Sequence, residues 1–198
     1  MQPSEDGLSG AAAPRQPRAA RVIVAGATKA SGSGSVATLL AQALRAAGLE
    51  NDGVEVIDAG ATLEGIGTVP TAGSSRYVIV AGVSSATLAA AFAMVKAIET
   101  RQPGARIELL VTGQDESRAH GAYLRVRAAA ERFLGREVGF AGAFTDLDAA
   151  SASLDDSDEM ETTLRRATRA NRTARMWAAR LLAECSEGAW PDAAHSMN

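Results

Sequence analysis

Aromatic residues, cysteine and histidine are scarce in this 198-residue sequence, and each shortage excludes something. Phe, Trp and Tyr together make up 4% of the chain, so a core must be built from Val, Leu, Ile and Ala. The single cysteine, Cys185, excludes an internal disulfide and a cysteine-rich metal site. The two histidines, His120 and His195, lack the spacing of metal ligands, so we expect neither to bind a metal.

Strong net charge and long apolar runs are missing as well. A formal charge of −3 gives no general attraction to nucleic acid, so we expect no nucleic-acid partner. The sequence has no run of about 18 apolar residues that could span a membrane. Residues 1–20, with Glu5 and Asp6 and no apolar block, do not resemble a secretion signal, and we expect a cytoplasmic protein. Residues 1–20 and 187–198 are predicted to be disordered tails.

What the chain does contain is a glycine-rich loop between a strand and a helix. Residues 22–25 predict a buried strand, and the loop after it holds Gly26, Gly32 and Gly34. The next helix has apolar residues at the helical period, namely Val36, Leu39, Leu40, Ala43 and Leu44. This order of elements aims backbone N–H groups and a helix N-terminus at an anion, usually a phosphate. The lysine of a P-loop is missing, because Gly32 is followed by Ser33.

Strands and helices alternate over the following residues up to 144. Strands are predicted at 54–58, 77–81, 106–112 and 138–144, and helices from Ser84 or Ser85 to about residue 100 and over 115–134, with 59–75 as a loop. The apolar positions of the helix over 115–134 are predicted to be Tyr123, Leu124, Ala128 and Phe133. The pattern predicts a three-layer, Rossmann-like α/β domain over residues 21–150, with a mostly parallel sheet of about five strands. Ligands of such sheets bind at the carboxyl ends of the strands, where the loop 26–35 and Asp58 both lie.

Residues 151–186 are predicted to form an acidic linker followed by a long basic helix. This C-terminal helix is predicted to run from about residue 161 to 184 and to be amphipathic. Its basic side carries Arg165, Arg169, Arg172 and Arg180, and its apolar side carries Ala167, Ala170, Ala174, Trp177, Ala178 and Leu181. The helix either packs its apolar side on the sheet, which we favour, or lies on an anionic membrane or a partner.

The order of elements resembles the MinD/ParA family of P-loop ATPases, and within it the flagellar-number regulators of the FlhG/FleN type. Residues 22–48 are similar to the family's first strand, deviant Walker A loop and first helix, and VEVIDAGATLEGIG is similar to its Walker B strand, with Asp58 as the acid. The most specific likeness is SSRYVIVAGVSSATLAAAFAMVKAIE, in which a strand leads into a helix with a pattern like T-x-A-Y-A-x-I-K at residues 88–96. RIELLVTGQD and AAAERFLGREVGFAGAFTDLD resemble the later strand, helix and final strand. The likeness covers roughly residues 21–150.

The resemblance implies a P-loop fold, with ATP and magnesium as the cofactors to consider. It places nucleotide contacts at Lys29, Gly32, Ser33, Gly34, Ser35, Asp58 and Thr112, with Ser35 and Asp58 also as magnesium ligands. Several family features are altered. Ser33 or Gly34 stands where the catalytic lysine should be, and Lys29 is one residue out of register with the signature lysine. A strand before Asp58 is missing, and Thr112 replaces the asparagine that contacts the base.

These departures favour a noncatalytic relative over a working ATPase. The resemblance then implies a regulatory or scaffolding protein that controls flagellar number or placement. Its partner would be a protein of the flagellar or another polar assembly machinery. Homodimer formation and peripheral contact with the inner membrane through residues 161–184 remain open.

Two enzyme functions stay as alternatives. One is an active ATPase with a deviant Walker A loop, in which Asp58 is the catalytic Walker B acid. The other is an NAD(P)-binding oxidoreductase, because Gly32-x-Gly34-x-x-Ala37 satisfies the dinucleotide-binding pattern and Asp58 lies on the next strand. Against the second, about six residues separate the first strand from Gly32, where the pattern allows almost none.

Overall fold

Five parallel strands form a single sheet in a computed structural model, which describes residues 20–48, 54–69, 75–113, 115–144, 172–180 and 183. The spatial order is β2-β1-β3-β4-β5, and every neighbouring pair is parallel. The strands are β1 (Ala20–Gly26), β2 (Val54–Asp58), β3 (Ser75–Gly82), β4 (Arg106–Thr112) and β5 (Gly139–Phe144). The predicted α/β class and the number of strands are confirmed.

The inner strands are apolar at almost every position because helices cover both of their faces. Seven consecutive residues of β3, from Ser75 to Ala81, are buried, and so are the central residues of β1 and β4. Parallel strands that are buried on both faces read as continuous apolar runs rather than as alternating patterns. β2 lies at one edge and is partly exposed, and its Glu55 pairs with Arg21 of β1 at 3.3 Å.

A helix follows each of the first four strands, and these helices are α1 (Ser33–Ala46), α2 (Leu63–Thr68), α3 (Ser85–Arg101) and α4 (Glu116–Leu134). The predicted starts of α3 and α4 are confirmed by their caps, since Ser84 accepts a hydrogen bond from the Thr87 N–H and Asp115 accepts one from the Ser117 N–H. The prediction that residues 59–75 form a loop is wrong for α2. This helix is too short to show a period, and the burial of Ile66 holds it on the domain.

The helices cover the two faces of the sheet unequally. α1 and the C-terminal helical segment, residues 172–180, pack on one face through side chains that include Leu40, Leu44 and Trp177. α2, α3 and α4 pack on the other face through residues such as Ile66, Val95 and Val126. Together with the sheet, the two helix layers make a three-layer domain.

The long C-terminal helix is not confirmed, since of residues 161–184 only 172–180 and 183 are described. In the described part, Ala174, Trp177 and Ala178 are buried and Arg172 is exposed, as the amphipathic pattern predicted. Arg180 is different, because its half-buried guanidinium reaches the Phe140 carbonyl at 3.2 Å. The predicted tails, apart from Ala20, and the predicted acidic linker lie outside the described residues.

The predicted apolar side of α4 is partly wrong. Tyr123 is buried, but Leu124, Ala128 and Phe133 are exposed. The side that meets the sheet consists mainly of small residues, namely Ala119, Ala122, Val126 and Ala130. Small side chains allow the helix axis to approach the sheet closely. The size of the apolar side chains was therefore a poor guide to which side of α4 is buried. No helix in the described ranges is long and apolar enough to cross a membrane.

Candidate functional site

The loop after β1 is held at the carboxyl edge of the sheet by hydrogen bonds to both neighbouring strands. The Gly26 N–H donates to the Gly60 carbonyl just beyond β2 at 2.8 Å, and the Ala27 N–H donates to the Val80 carbonyl of β3 at 2.8 Å. The strand order places β2 on one side of β1 and β3 on the other. This is a topological switch point, where open α/β sheets bind their ligands. The sequence-predicted loop therefore lies at the ligand-binding position of the fold.

A 3₁₀ turn over Lys29–Ser31 closes the loop before α1 begins. The Thr28 N–H donates to Ser31 Oγ at 3.0 Å, and the Ser31 N–H donates to the Thr28 carbonyl at 3.0 Å. Gly32 then takes a left-handed conformation, with φ of 72°, and the chain turns into α1. A residue with a side chain would be strained at this φ, which explains a glycine here without reference to phosphate.

Ser33 and Gly34, at the start of α1, occupy very different surroundings. Ser33 is 8% exposed and packs against Gly26, where an added Cβ would lie 3.2 Å from Ser33 Oγ. Gly34 faces Asp58 of β2, and a Cβ added at Gly34 would lie 3.2 Å from Asp58 Oδ2. Asp58 Oδ1 also accepts a hydrogen bond from the Gly60 N–H at 2.9 Å. The predicted acid and the predicted loop therefore meet at the first turn of α1, where a negative charge is favoured by the helix dipole.

The remaining predicted residues are less closely grouped. Lys29 is exposed within the 3₁₀ turn, and Ser35 is half-buried in the first turn of α1. Among the described residues, no hydrogen bond joins Ser35 to Asp58. Thr112 ends β4, two strands away from β1, and its hydroxyl donates to the Ala81 carbonyl at a long 3.5 Å. The structure thus brings Gly26, Ser33, Gly34 and Asp58 together and leaves Thr112 apart.

The residues present do not fit a magnesium–triphosphate group. Mg²⁺ in nucleotide sites is bound by one or two carboxylates together with the substrate phosphates, and a P-loop adds a lysine and a hydroxyl. Asp58 offers one carboxylate, but Gly34 beside it has no hydroxyl and Ser33 is a buried serine rather than a lysine. Within the described ranges, no group of three or more His, Cys, Asp or Glu side chains is arranged to hold a metal ion.

A second charged cluster, which the sequence interpretation missed, lies at the opposite edge of the sheet. Glu108 of β4 is 2% exposed, and its Oε1 lies 3.1 Å from Arg76 Nη1 of β3. Its Oε2 accepts a hydrogen bond from Trp177 Nε1 at 3.0 Å and contacts Arg180 Nη2. A cavity of about 490 Å³ opens beside Glu108. The sequence signal that could have revealed this cluster was the charged Glu108 among the apolar residues of β4, since a buried charge requires partners.

Comparison with known proteins leaves the site to be interpreted from its own residues. No protein-family model and no curated protein matches this chain. The residues provide an acid against a helix N-terminus, at the edge of the sheet where ligands bind, and a buried serine rather than a lysine at the start of α1.

Proposed function

We propose that this chain is a noncatalytic, MinD/ParA-like regulatory or scaffolding protein. It acts in the cytoplasm through a protein partner, and it serves flagellar number or placement. One observation carries the proposal: the Asp58 carboxylate lies against Gly34 at the first turn of α1. A Walker B acid lies in this position relative to a P-loop helix, because both contact the same magnesium ion. Here the acid is retained, whereas the lysine and the hydroxyl are replaced by Ser33 and Gly34.

A protein with these replacements should neither hydrolyse ATP nor bind it tightly. Phosphoryl transfer depends on positioning and charge stabilisation by the P-loop lysine and a well-held metal. We expect phosphate release with Mg²⁺ and ATP to stay at the no-protein background in wild type and in Asp58→Ala alike. Turnover in wild type that Asp58→Ala abolishes would refute the noncatalytic proposal and favour the active ATPase.

Restoring the lost groups provides a positive test of P-loop ancestry. The double variant S33K/G34T places a lysine and a hydroxyl at the start of α1, and the hydroxyl lies beside Asp58. We expect Mg²⁺ and ATP to raise the Tm of this variant and to leave that of wild type unchanged, because a ligand that binds the native state stabilises it. A Cβ at position 34 would lie 3.2 Å from Asp58 Oδ2, so G34T alone serves as the control for the effect of this close contact on the Tm. A folded double variant that does not respond to ATP counts against the ancestry.

The oxidoreductase alternative makes the opposite prediction for nicotinamide cofactors. β1 ends at Gly26, and the 3₁₀ turn separates it from Gly32, so the first glycine of the pattern does not follow the strand directly. We expect NADH and NADPH at millimolar concentration to leave the Tm unchanged and to show no enhanced nicotinamide fluorescence. A rise of several degrees would overturn the regulatory proposal in favour of the oxidoreductase.

A further inference from the structure

An apolar groove runs between α3 and α4 on the outside of the domain. Its cavity has a volume of about 320 Å³, and Leu88 and Phe92 of α3 and Val126 and Ala129 of α4 line it. Phe133 closes one end and is 67% exposed, with its ring edge-on to Phe92 at a centroid distance of 6.2 Å. A large exposed aromatic side chain beside an apolar groove is a feature of protein interaction sites.

The rim of this groove is basic. Arg118, Arg125 and Arg132 follow each other at intervals of seven residues, so they lie on one side of α4. Arg125 lines the groove, and the Arg132 guanidinium lies 5.3 Å from the centre of the Phe133 ring. Lys96, on the next turn of α3 after Phe92, is exposed. The chain as a whole has a net charge of −3, so this local excess of positive charge does not follow from composition.

Carboxylates of the described part of the chain do not neutralise the groove. Arg125 Nε donates to the Gly121 carbonyl at 3.4 Å, and within the described ranges neither Arg125 nor Arg132 contacts a carboxylate. Glu99, one turn from Lys96, is 2.8 Å from Arg136 and therefore already has a cationic partner. Arg118 makes only a loose, exposed pair with Asp115 at 3.7 Å. The surface is thus an apolar floor with a basic rim.

We propose that this groove binds an acidic amphipathic helix of a protein partner. The apolar side of that helix would cover Phe92 and Phe133, and its acids would meet Arg125 and Arg132. A groove between two helices has no free strand edge, which favours a helix over an added strand. A second copy of the chain fits poorly, because a two-fold contact would place the arginines of α4 against each other. A flat lipid surface would not reach the recessed floor. The inference does not depend on the proposed function, since none of the groove residues belongs to the site of Asp58 and Gly34.

The test measures binding of a fluorescein-labelled peptide by fluorescence anisotropy. The probe is a helix of about four turns, with Leu on one side and Glu on the other. We expect saturable binding to the full chain that weakens about tenfold or more in Arg125→Glu and in Phe133→Ala, and that weakens with added salt. Two matched controls should leave binding unchanged: Arg45→Glu, the same charge change on α1, and Met176→Ala, a side chain 68% exposed on the opposite face of the sheet.

Several outcomes would overturn the proposal. They are the absence of binding to wild type, equal binding of a peptide with Lys in place of Glu, and equal loss in the control variants. Anionic vesicles that bind wild type but not Arg125→Glu would assign the groove to lipid. A dimer in sedimentation that Phe133→Ala dissociates would assign it to a second copy. Phe133 and Arg125 are exposed and contribute little to the core, so we expect both variants to remain folded. Thermal melts check this.

Discussion

Buried polar side chains show how individual residues adapt to this fold. Glu108 is buried in the sheet and is matched by Arg76 and by the indole N–H of Trp177. Tyr77 of β3 is 2% exposed, and its hydroxyl donates to Gln102 Oε1 at 3.1 Å. Burial raises the pKa of the Tyr77 phenol, and the nearby Arg101 partly opposes the rise. Both side chains lie near the amino-terminal edge of the sheet, away from the candidate site.

The raised pKa of Tyr77 predicts a loss of stability at alkaline pH. In the unfolded chain the phenol ionises near pH 10, whereas in the folded chain it ionises at higher pH. The stabilising effect of the neutral phenol is therefore complete below about pH 10 and is lost as the pH rises through the folded pKa. Ultraviolet titration of Tyr123→Phe, which leaves Tyr77 as the single tyrosine, should show a pKa above 10. Ionisation of the folded protein at or below 10 would contradict this.

At the scale of elements, glycines within two helices have opposite roles. Gly65 lies in α2, and a Cβ added there would be 1.9 Å from the Ala59 carbonyl oxygen. Gly121 lies inside α4 with open space around it. Gly65 permits the close approach of α2 to the end of β2, whereas no contact in the described structure requires a glycine at position 121. Helix propensity favours alanine at both positions, so packing alone decides between them.

These two glycines predict changes of opposite sign on substitution by alanine. Gly65→Ala should destabilise the domain by roughly 1–3 kcal/mol or more, because the added methyl group displaces backbone. Gly121→Ala should stabilise it by about 0.5–1 kcal/mol, because glycine loses more backbone entropy than alanine on folding. Urea denaturation followed by circular dichroism gives both values. Equal effects of the two substitutions would show that the close contact at Gly65 is not present in solution.

At the scale of the whole molecule, the C-terminal helical segment completes one face of the sheet. Trp177 is 3% exposed and belongs to the same apolar cluster as Leu110, Ala141 and Phe144. Arg180 extends the contact to the Phe140 carbonyl and to Glu108. Leaving the domain to bind a membrane would uncover this apolar surface and remove two partners of the buried Glu108 carboxylate. The packing observed here supports our preference for the structural role.

Trp177 should therefore act as a core residue. We expect Trp177→Ala to lower the free energy of unfolding by about 3–5 kcal/mol, the range for a buried large aromatic residue. In a Trp190→Phe background, Trp177 is the single tryptophan, and its emission should be blue-shifted until the protein unfolds. Anionic vesicles should not co-sediment with the protein. Vesicle binding that disappears on deleting residues 161–198, while the remainder stays folded, would restore the membrane role.

The sequence by itself determined the local features of the chain. β2 and β4 have the predicted bounds, and α3 and α4 start at the predicted caps, Ser84 and Asp115. Apolar runs, helical periods and capping side chains act over a few residues, so they can be recognised without knowing what lies opposite them. The glycine-rich loop and the candidate acid Asp58 belong to the same class of local signal.

Only the tertiary structure decided which segments meet. Strand order brings Asp58 against Gly34 and places Thr112 two strands away from β1, whereas the resemblance could name these residues without giving the distances between them. Close packing on the sheet buries Ala119, Ala122 and Ala130 of α4 and leaves Phe133 exposed. Glu108 has a local partner in Arg106 of the same strand, but its other partners come from β3 and from the C-terminal helical segment, up to 72 residues away along the chain. Such contacts depend on the register and burial of distant segments, and no local pattern encodes them.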